Sequence, residues 1–225
     1  MTGEKPSLIV RHLGSRDYRT VVEAMQAFTE GRAPDTPDEF WMVQHPPVFT
    51  QGLAGKPEHV LDAGDIPVVQ TDRGGQITYH GPGQLVLYLL IDMRRAGIGP
   101  RGLVSRMEDA VISLLSDRGV EASTRPDAPG VYVRGRKIAS LGLRIRRGCS
   151  YHGLSLNTDM DLSPFQRINP CGFPGLEMTQ VRDECGDFTM RSIEECLLRD
   201  MISRMGYDAL SHQANLPEPS PSTEP

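Results

Sequence analysis

Arg73-Gly-Gly-Gln-Ile-Thr-Tyr-His-Gly-Pro-Gly-Gln84, followed at once by Leu85-Val-Leu-Tyr-Leu-Leu-Ile91, is the stretch from which the fold can be read. Residues 85–91 form a continuous apolar run of strand length, the pattern of a strand buried on both faces. The twelve residues before it hold four glycines, but also Arg73, Tyr79, His80 and two glutamines. Clustered glycines let the backbone reach φ > 0 and let a ligand approach the main chain closely. A plain connector has no need of such polar and aromatic side chains between its glycines. The segment therefore reads as a binding loop at the margin of the core. A glycine-turned hairpin around an ordinary buried histidine is the plainer alternative.

Working outward, residues 8–12, 39–44, 48–50 and 67–70 read as strands, with Pro46-Pro47 separating the second from the third. Asp17 is placed to cap a helix through Val21, Val22, Met25 and Phe28, closed by Gly31. Residues 103–118 carry apolar side chains at helical spacing, ending at Gly119. Strands follow over 130–133, 137–145 and 151–157. Thr189 is placed to cap a last helix that runs to about Met205, before Gly206. Strands outnumber helices and do not alternate with them regularly. The expected class is α+β, a mixed β-sheet flanked by helices. A single domain over residues 7–213 is expected. Residues 1–6 and those from about 214 read as frayed, the latter as a proline-rich flexible tail over 214–225.

The 225 residues, 38% hydrophobic and 24% charged, suffice for one sizeable core. A net charge of −5 gives no general attraction to nucleic acid. No signal peptide is evident, and the longest apolar run is far too short for a bilayer. A cytoplasmic protein with neither nucleic-acid nor membrane partners is expected. Cys149, Cys171, Cys185 and Cys196 show no C-x-x-C pair and no His at zinc-ligand spacing, so reduced thiols are expected, and no metal or cofactor. Lys5, Lys56 and Lys137 are the only lysines among 24 basic residues; the rest are Arg.

Cys171 lies in Asn169-Pro-Cys-Gly-Phe-Pro-Gly175, where two prolines and two glycines specify a rigid loop. That setting suits a nucleophile, which must be held near its target, better than a core-filling thiol. A cysteine nucleophile needs a base or a cation to become thiolate. Lys137 is one candidate: strict alternation along Arg136-Lys-Ile-Ala-Ser-Leu-Gly-Leu-Arg-Ile-Arg146 puts it in an inward row with Ala139, Leu141, Leu143 and Ile145. A strand-end lysine that reaches out to water is the ordinary alternative. His80 and His152 are the other candidates, and each reads equally as a structural histidine. Beyond Lys137, Ser140-Leu-Gly142 offers backbone N–H groups to a carbonyl oxygen if the strand is locally irregular. Arg144, Arg146 and Arg147 form a basic cluster at a turn, either solvated or a landing patch for an acidic partner.

Taken together, residues 73–84, Gly135-Arg-Lys-Ile-Ala-Ser-Leu-Gly142, Tyr151-His-Gly-Leu-Ser-Leu-Asn157 and Asn169-Pro-Cys-Gly172 closely resemble the motifs of the lipoyl(octanoyl) transferases, the octanoyltransferases of lipoate biosynthesis. The resemblance spans about residues 8–205. It implies the fold of the biotin and lipoate protein ligases, and transfer of an octanoyl group from acyl carrier protein to a lysine. The acceptors it implies are lipoyl domains of 2-oxoacid dehydrogenase complexes and the glycine cleavage H protein. By motif match, Cys171 would carry the acyl thioester and Lys137 would act as its base. Arg73, Gly74, Gly75, Gln76, Ile77, Thr78, Tyr79 and His80 would line the acyl pocket, with Ser140, Leu141, Gly142, Gly153, Leu154 and Ser155. The alternatives are an ATP-dependent lipoate- or biotin-type ligase of the same fold and a non-catalytic acyl-binding module.

Overall fold

The computed structural model describes residues 7–217; of the ends expected to fray, 1–6 and from about 214, residues 1–6 and 218–225 lie outside the described residues. The chain opens with β1 (Ser7–Ser15) and α1 (Tyr18–Glu30). Asp17 caps α1 by accepting from the Thr20 N–H at 3.0 Å, and Gly31 closes the helix. β2 (Asp38–Gln44) and β3 (Val48–Gln51) flank the two prolines, and β4 (Val68–Gln70), β5 (Ile77–His80) and β6 (Gln84–Leu90) follow. α2 (Pro100–Ser116) starts earlier than its apolar pattern indicated, with Pro100 in the first turn, where its missing N–H has no helical partner to lose. Next come β7 (Ser123–Thr124), β8 (Gly130–Val133), β9 (Arg136–Arg146) and β10 (Cys149–Asn157). α3 (Val181–Cys185), α4 (Met190–Met205) and β11 (Ala209–Gln213) complete the order. Thr189 and Ser192 cap α4 reciprocally. No helix among the described residues is long and apolar enough to cross a membrane.

Among the described residues, eight strands form the main sheet in the order β11-β1-β2-β6-β10-β9-β8-β7, and β4-β3-β5 form a small second sheet. β1 runs parallel to β11 and to β2, while β2–β6, β6–β10, β10–β9 and β9–β8 are antiparallel. The α+β class with a mixed sheet holds. Order extends past residue 213: Arg11 Nη1 donates to Asn215 O at 2.7 Å, and Leu216 packs against the α1 side of the core. The tail expected from about 214 thus begins with residues tied to β1.

β6 occupies the middle of the sheet, and its two faces explain the unbroken apolar run. Leu85, Leu87 and Leu89 pack into the core shared with α2 and α4, whereas Val86, Tyr88 and Leu90 join the cluster around α1. Each such side chain contributes about 1.5–3 kcal/mol by leaving water.

One register shift corrects the sequence reading of Lys137. Pairing runs Val131↔Ala139 and then Tyr132↔Lys137, so Ile138 is the extra residue of a β-bulge in β9. Ile138 and Ala139 therefore both enter the α2–α4 core. Lys137 leaves the row of Ala139, Leu141, Leu143 and Ile145 for the opposite face, that of its partner Tyr132, Ser140 and Gly142. There its Nζ lies 5.5 Å from the centroid of the Tyr132 ring.

The turn between β5 and β6 is fastened to the end of β10, because Gly83 O accepts from the N–H groups of Thr158 and Asp159. Gly83 has φ +82°, and a Cβ there would stand 1.9 Å from Asp159 O. Gly83→Ala is expected to destabilise the protein by about 2 kcal/mol or more. Urea unfolding with an unchanged m value is the measurement; a midpoint equal to the parent's would contradict this account.

Candidate active site

Cys171 occupies a single 3-10 turn, Pro170–Gly172, closed by Gly172 N–H to Asn169 O at 2.9 Å and Phe173 N–H to Pro170 O at 3.0 Å. Its backbone is left-handed (φ 56°, ψ 16°), a conformation that costs a non-glycine residue about 1–2 kcal/mol. From that turn Cys171 Sγ meets Lys137 Nζ at 3.0 Å. Lys137 is only 1% exposed, and its Nζ also donates to Pro129 O at 2.9 Å. The chain leaving the cysteine turn runs alongside it: Lys137 N–H donates to Glu177 O and Thr179 N–H donates to Lys137 O, both at 2.9 Å. Nucleophile and amine are thus fastened to each other through backbone as well as side chains.

Both open onto one cavity of about 440 Å³, within the roughly 300–1,000 Å³ range of small-molecule sites. Its floor comes from cross-strand rows of small residues. Ser140 pairs with Ser155, which faces Val86, and Gly142 pairs with Gly153, which faces Tyr88. The other wall is the glycine-rich segment from Arg73 to Thr78, with His80. Gly74 N–H donates to Leu143 O at 2.9 Å, so this segment adds on to β9 beyond the last β8 partner. Gly142 has to be small, since a Cβ there would approach Gly74 O to 2.9 Å.

Thirteen of the fourteen pocket residues expected from sequence border this cavity; Tyr79 does not. Tyr79 packs instead onto Phe49 and Phe165. Arg73 is buried, and its guanidinium is spent on Thr50, with Nη2 to Thr50 O at 2.5 Å. Lys137, rather than either histidine, contacts the sulfur. His80 is held by Gln84 Oε1 at 2.6 Å and Thr50 Oγ1 at 3.3 Å; His152 is held by Asp72 Oδ1 at 2.9 Å. His152 nevertheless borders the cavity, as do Tyr18, Tyr88, Val86, Val104, Leu143 and Phe173, none of which the sequence singled out. Tyr88 alone had left a signal, a hydroxyl inside a run otherwise wholly apolar.

Burial governs the charge state around the cavity. It pulls His80 down to about 3, with His45 adding to the effect, and pulls His45 down to about 4. His152 is lowered by burial against the pull of Asp72. Asp72, though burial pushes it up, is held well below the carboxylate range by His152 and Tyr151. Burial and Asp72 raise Tyr151 to about 12. At neutral pH the imidazoles are uncharged, so the cavity wall stays compatible with an apolar occupant.

The family model of the lipoyl protein ligase A/B catalytic domain matches residues 17–202. The chain belongs to this family. Within the lipoyl ligase A/B family, a protein of Shewanella amazonensis named octanoyltransferase is 57% identical over 212 residues, covering 94% of this chain and 98% of its own. The protein is accordingly a transferase, as the resemblance led us to expect. Among solved structures, the bipartite lipoate protein ligase of Thermoplasma acidophilum superposes with a TM-score of 0.72 at 15% identity, over 93% of this chain and 88% of that one. The biotin protein ligase of Aquifex aeolicus does so with a TM-score of 0.53 at 11% identity, over 90% and 70%. At such identities the agreement concerns architecture, and it bears out the expected fold.

Neutral buried histidines couple stability to pH. His45 titrates at 6.5 when unfolded and at about 4 when folded. Below pH 6.5 the unfolded chain takes up the proton first, so stability is full above that pH and is lost as pH falls toward 4. Urea melts at pH 7, 6 and 5 are expected to show a steady loss. The slope should shrink in His45→Gln; an identical slope would assign the loss to other groups.

Proposed function

We propose that the protein moves an octanoyl group from an acyl carrier protein to the ε-amine of a lysine on a lipoyl domain, through a thioester on Cys171 with Lys137 as base. The observation that carries this reading is the 3.0 Å contact between a cysteine sulfur and a buried lysine amine that both line an acyl-sized cavity. In the first half-reaction Lys137 takes the thiol proton, and Sγ attacks the carbonyl carbon of the donor thioester. The donor C–S bond breaks, and the departing thiol recovers the proton from Lys137. In the second half, the acceptor amine attacks the Cys171 thioester while Lys137 removes its proton. The C–S bond to Cys171 then breaks and the sulfur is reprotonated. Thioester exchange is nearly isoenergetic, so neither ATP nor redox chemistry enters.

Backbone supports this chemistry. Gly130↔Ser140 is the last β8–β9 pair, and Leu143 O is taken by Gly74. We assign the oxyanion a backbone N–H at the cavity margin, beside Cys171 or within Ser140–Gly142. Such a donor is worth about 3–4 kcal/mol to the transition state. The small side chains of Ser140, Ser155, Gly142 and Gly153 leave the room an eight-carbon chain occupies, and each methylene buried contributes about 0.8 kcal/mol. Lipoyl domains of 2-oxoacid dehydrogenases and the glycine cleavage H protein are the acceptors we assign, in a reducing cytoplasm that keeps Cys171 a thiol. The 7–213 span is the catalytic domain in this reading.

Intact mass spectrometry after incubation with octanoyl carrier protein, without ATP, is expected to show one octanoyl adduct. The adduct should be absent in Cys171→Ser, and Lys137→Met should slow its formation by roughly a hundredfold or more. Adduct formation on Cys171→Ser, or a strict requirement for ATP, would rule the mechanism out. Filling the floor tests the cavity separately. Ser155→Leu is expected to lower the kcat/KM ratio of octanoyl to butanoyl donor about tenfold; an unchanged ratio would remove the acyl chain from this cavity.

A further inference from the structure

A file of buried polar side chains connects the glycine-rich loop to the backbone beside Lys137. Arg73 donates to Thr50 Oγ1 through Nη2 at 2.9 Å, and Thr50 Oγ1 lies 3.3 Å from His80 Nε2. His80 Nδ1 meets Gln84 Oε1 at 2.6 Å. Gln84 Nε2 donates to Tyr79 O at 3.1 Å and to Asn157 Oδ1 at 2.9 Å. Asn157 Nδ2 donates to Thr179 O at 3.0 Å. Thr179 is the residue whose N–H binds Lys137 O. Gln84 and Asn157 are 1% and 2% exposed, and neither borders the cavity.

The bonding pattern leaves one consistent arrangement of protons. Both Gln84 Nε2 partners are oxygens, so its Oε1 must accept, and His80 Nδ1 must carry the hydrogen. His80 Nε2 then accepts from the Thr50 hydroxyl. Turning the Asn157 amide over would set its NH₂ against that of Gln84 and its oxygen against Thr179 O. Every bond from Arg73 to Thr179 therefore donates in the same direction, an alignment in which successive bonds polarise one another. Gln84 and Asn157 also face each other at the end of the β6–β10 ladder. Their amides carry the pairing past the point where the strands stop, into the segment that follows the Cys171 turn.

We propose that Gln84 and Asn157 are positioning residues: they hold the Glu177–Thr179 segment against Lys137 and so keep the amine within reach of the Cys171 sulfur. The proposal rests on the reading of Lys137 as base. Asn157→Leu keeps the volume and removes both bonds, leaving Thr179 O and a Gln84 N–H without partners in a dry environment.

The test is a double-mutant cycle read by the rate of Cys171 alkylation with iodoacetamide at pH 7, together with kcat and KM for octanoyl transfer. N157L is expected to slow alkylation about tenfold and to lower kcat similarly with KM for the donor nearly unchanged. In a Lys137→Met background the same substitution is expected to change the alkylation rate less than twofold, because the amine it positions is gone. Equal slowing in both backgrounds would mean that Asn157 supports the fold alone, and the proposal would fall. Should N157L not fold, Q84M, which removes the donor to Asn157 and the acceptor for His80, is read in the same cycle by the same criteria. Failure of the base reading shows separately: K137M would then alkylate at the parental rate, and this proposal would go with it.

Discussion

The structure turns on the 3.0 Å contact between Lys137 Nζ and Cys171 Sγ. Neither partner is presented by regular secondary structure. The lysine reaches its face of the sheet only because Ile138 is extra in the β8–β9 pairing. Without that residue, alternation would send a primary amine into the core packed by α2 and α4, where burial of an unpaired charge is prohibitive. The cysteine arrives in a left-handed turn that Gly172 helps to close. Two local irregularities, one in a strand and one in a loop, converge on a single pair of atoms, and strain of this kind collects where a site demands it.

Around that pair the fold separates greasy space from polar scaffolding with little overlap. The cavity floor is the stretch of sheet where β9 and β10 carry glycine and serine opposite one another. Large side chains on the same face of β6, Val86 and Tyr88, mark where the floor rises again. The wall opposite is the glycine-rich segment, tied at Arg73 to Thr50 and at Tyr79 O to Gln84. Neutral imidazoles serve better than charged groups there, because each offers one donor and one acceptor without a counter-ion.

What could be read from the chain followed the range of the interactions involved. The caps of α1 and α4 were legible because Asp17 and Thr189 bond to N–H groups three residues away. β6 was legible because burial on both faces writes an unbroken apolar word. β11 was not: its partner β1 lies some two hundred positions earlier, and no local pattern announces such a pairing. The residue types at the site were readable from the loop around Cys171 and the scarcity of lysine. The face occupied by Lys137 was misread, since a bulge is defined by the neighbouring strand rather than by the strand that contains it. Tyr79, expected in the pocket, packs onto Phe49 and Phe165, a contact set by tertiary packing that the glycine-rich segment does not announce. Val104 and Tyr18, brought to the cavity by tertiary packing alone, left no trace.

The near-absence of lysine acquires a chemical meaning once Lys137 is seen to be sealed inside. In the proposed reaction the protein holds an activated acyl group and passes it to an amine, and so is exposed to its own reactivity. Arginine side chains supply the positive charge on this molecule almost entirely, and a protonated guanidinium does not compete for an ester-like carbon as a free amine does. Apart from Lys137, the chain offers only Lys5 and Lys56 as targets, and Lys56 leans toward Glu58 at 3.7 Å. For that reaction, a chain so poor in primary amines would keep the catalyst from labelling itself and leave the cargo for its client.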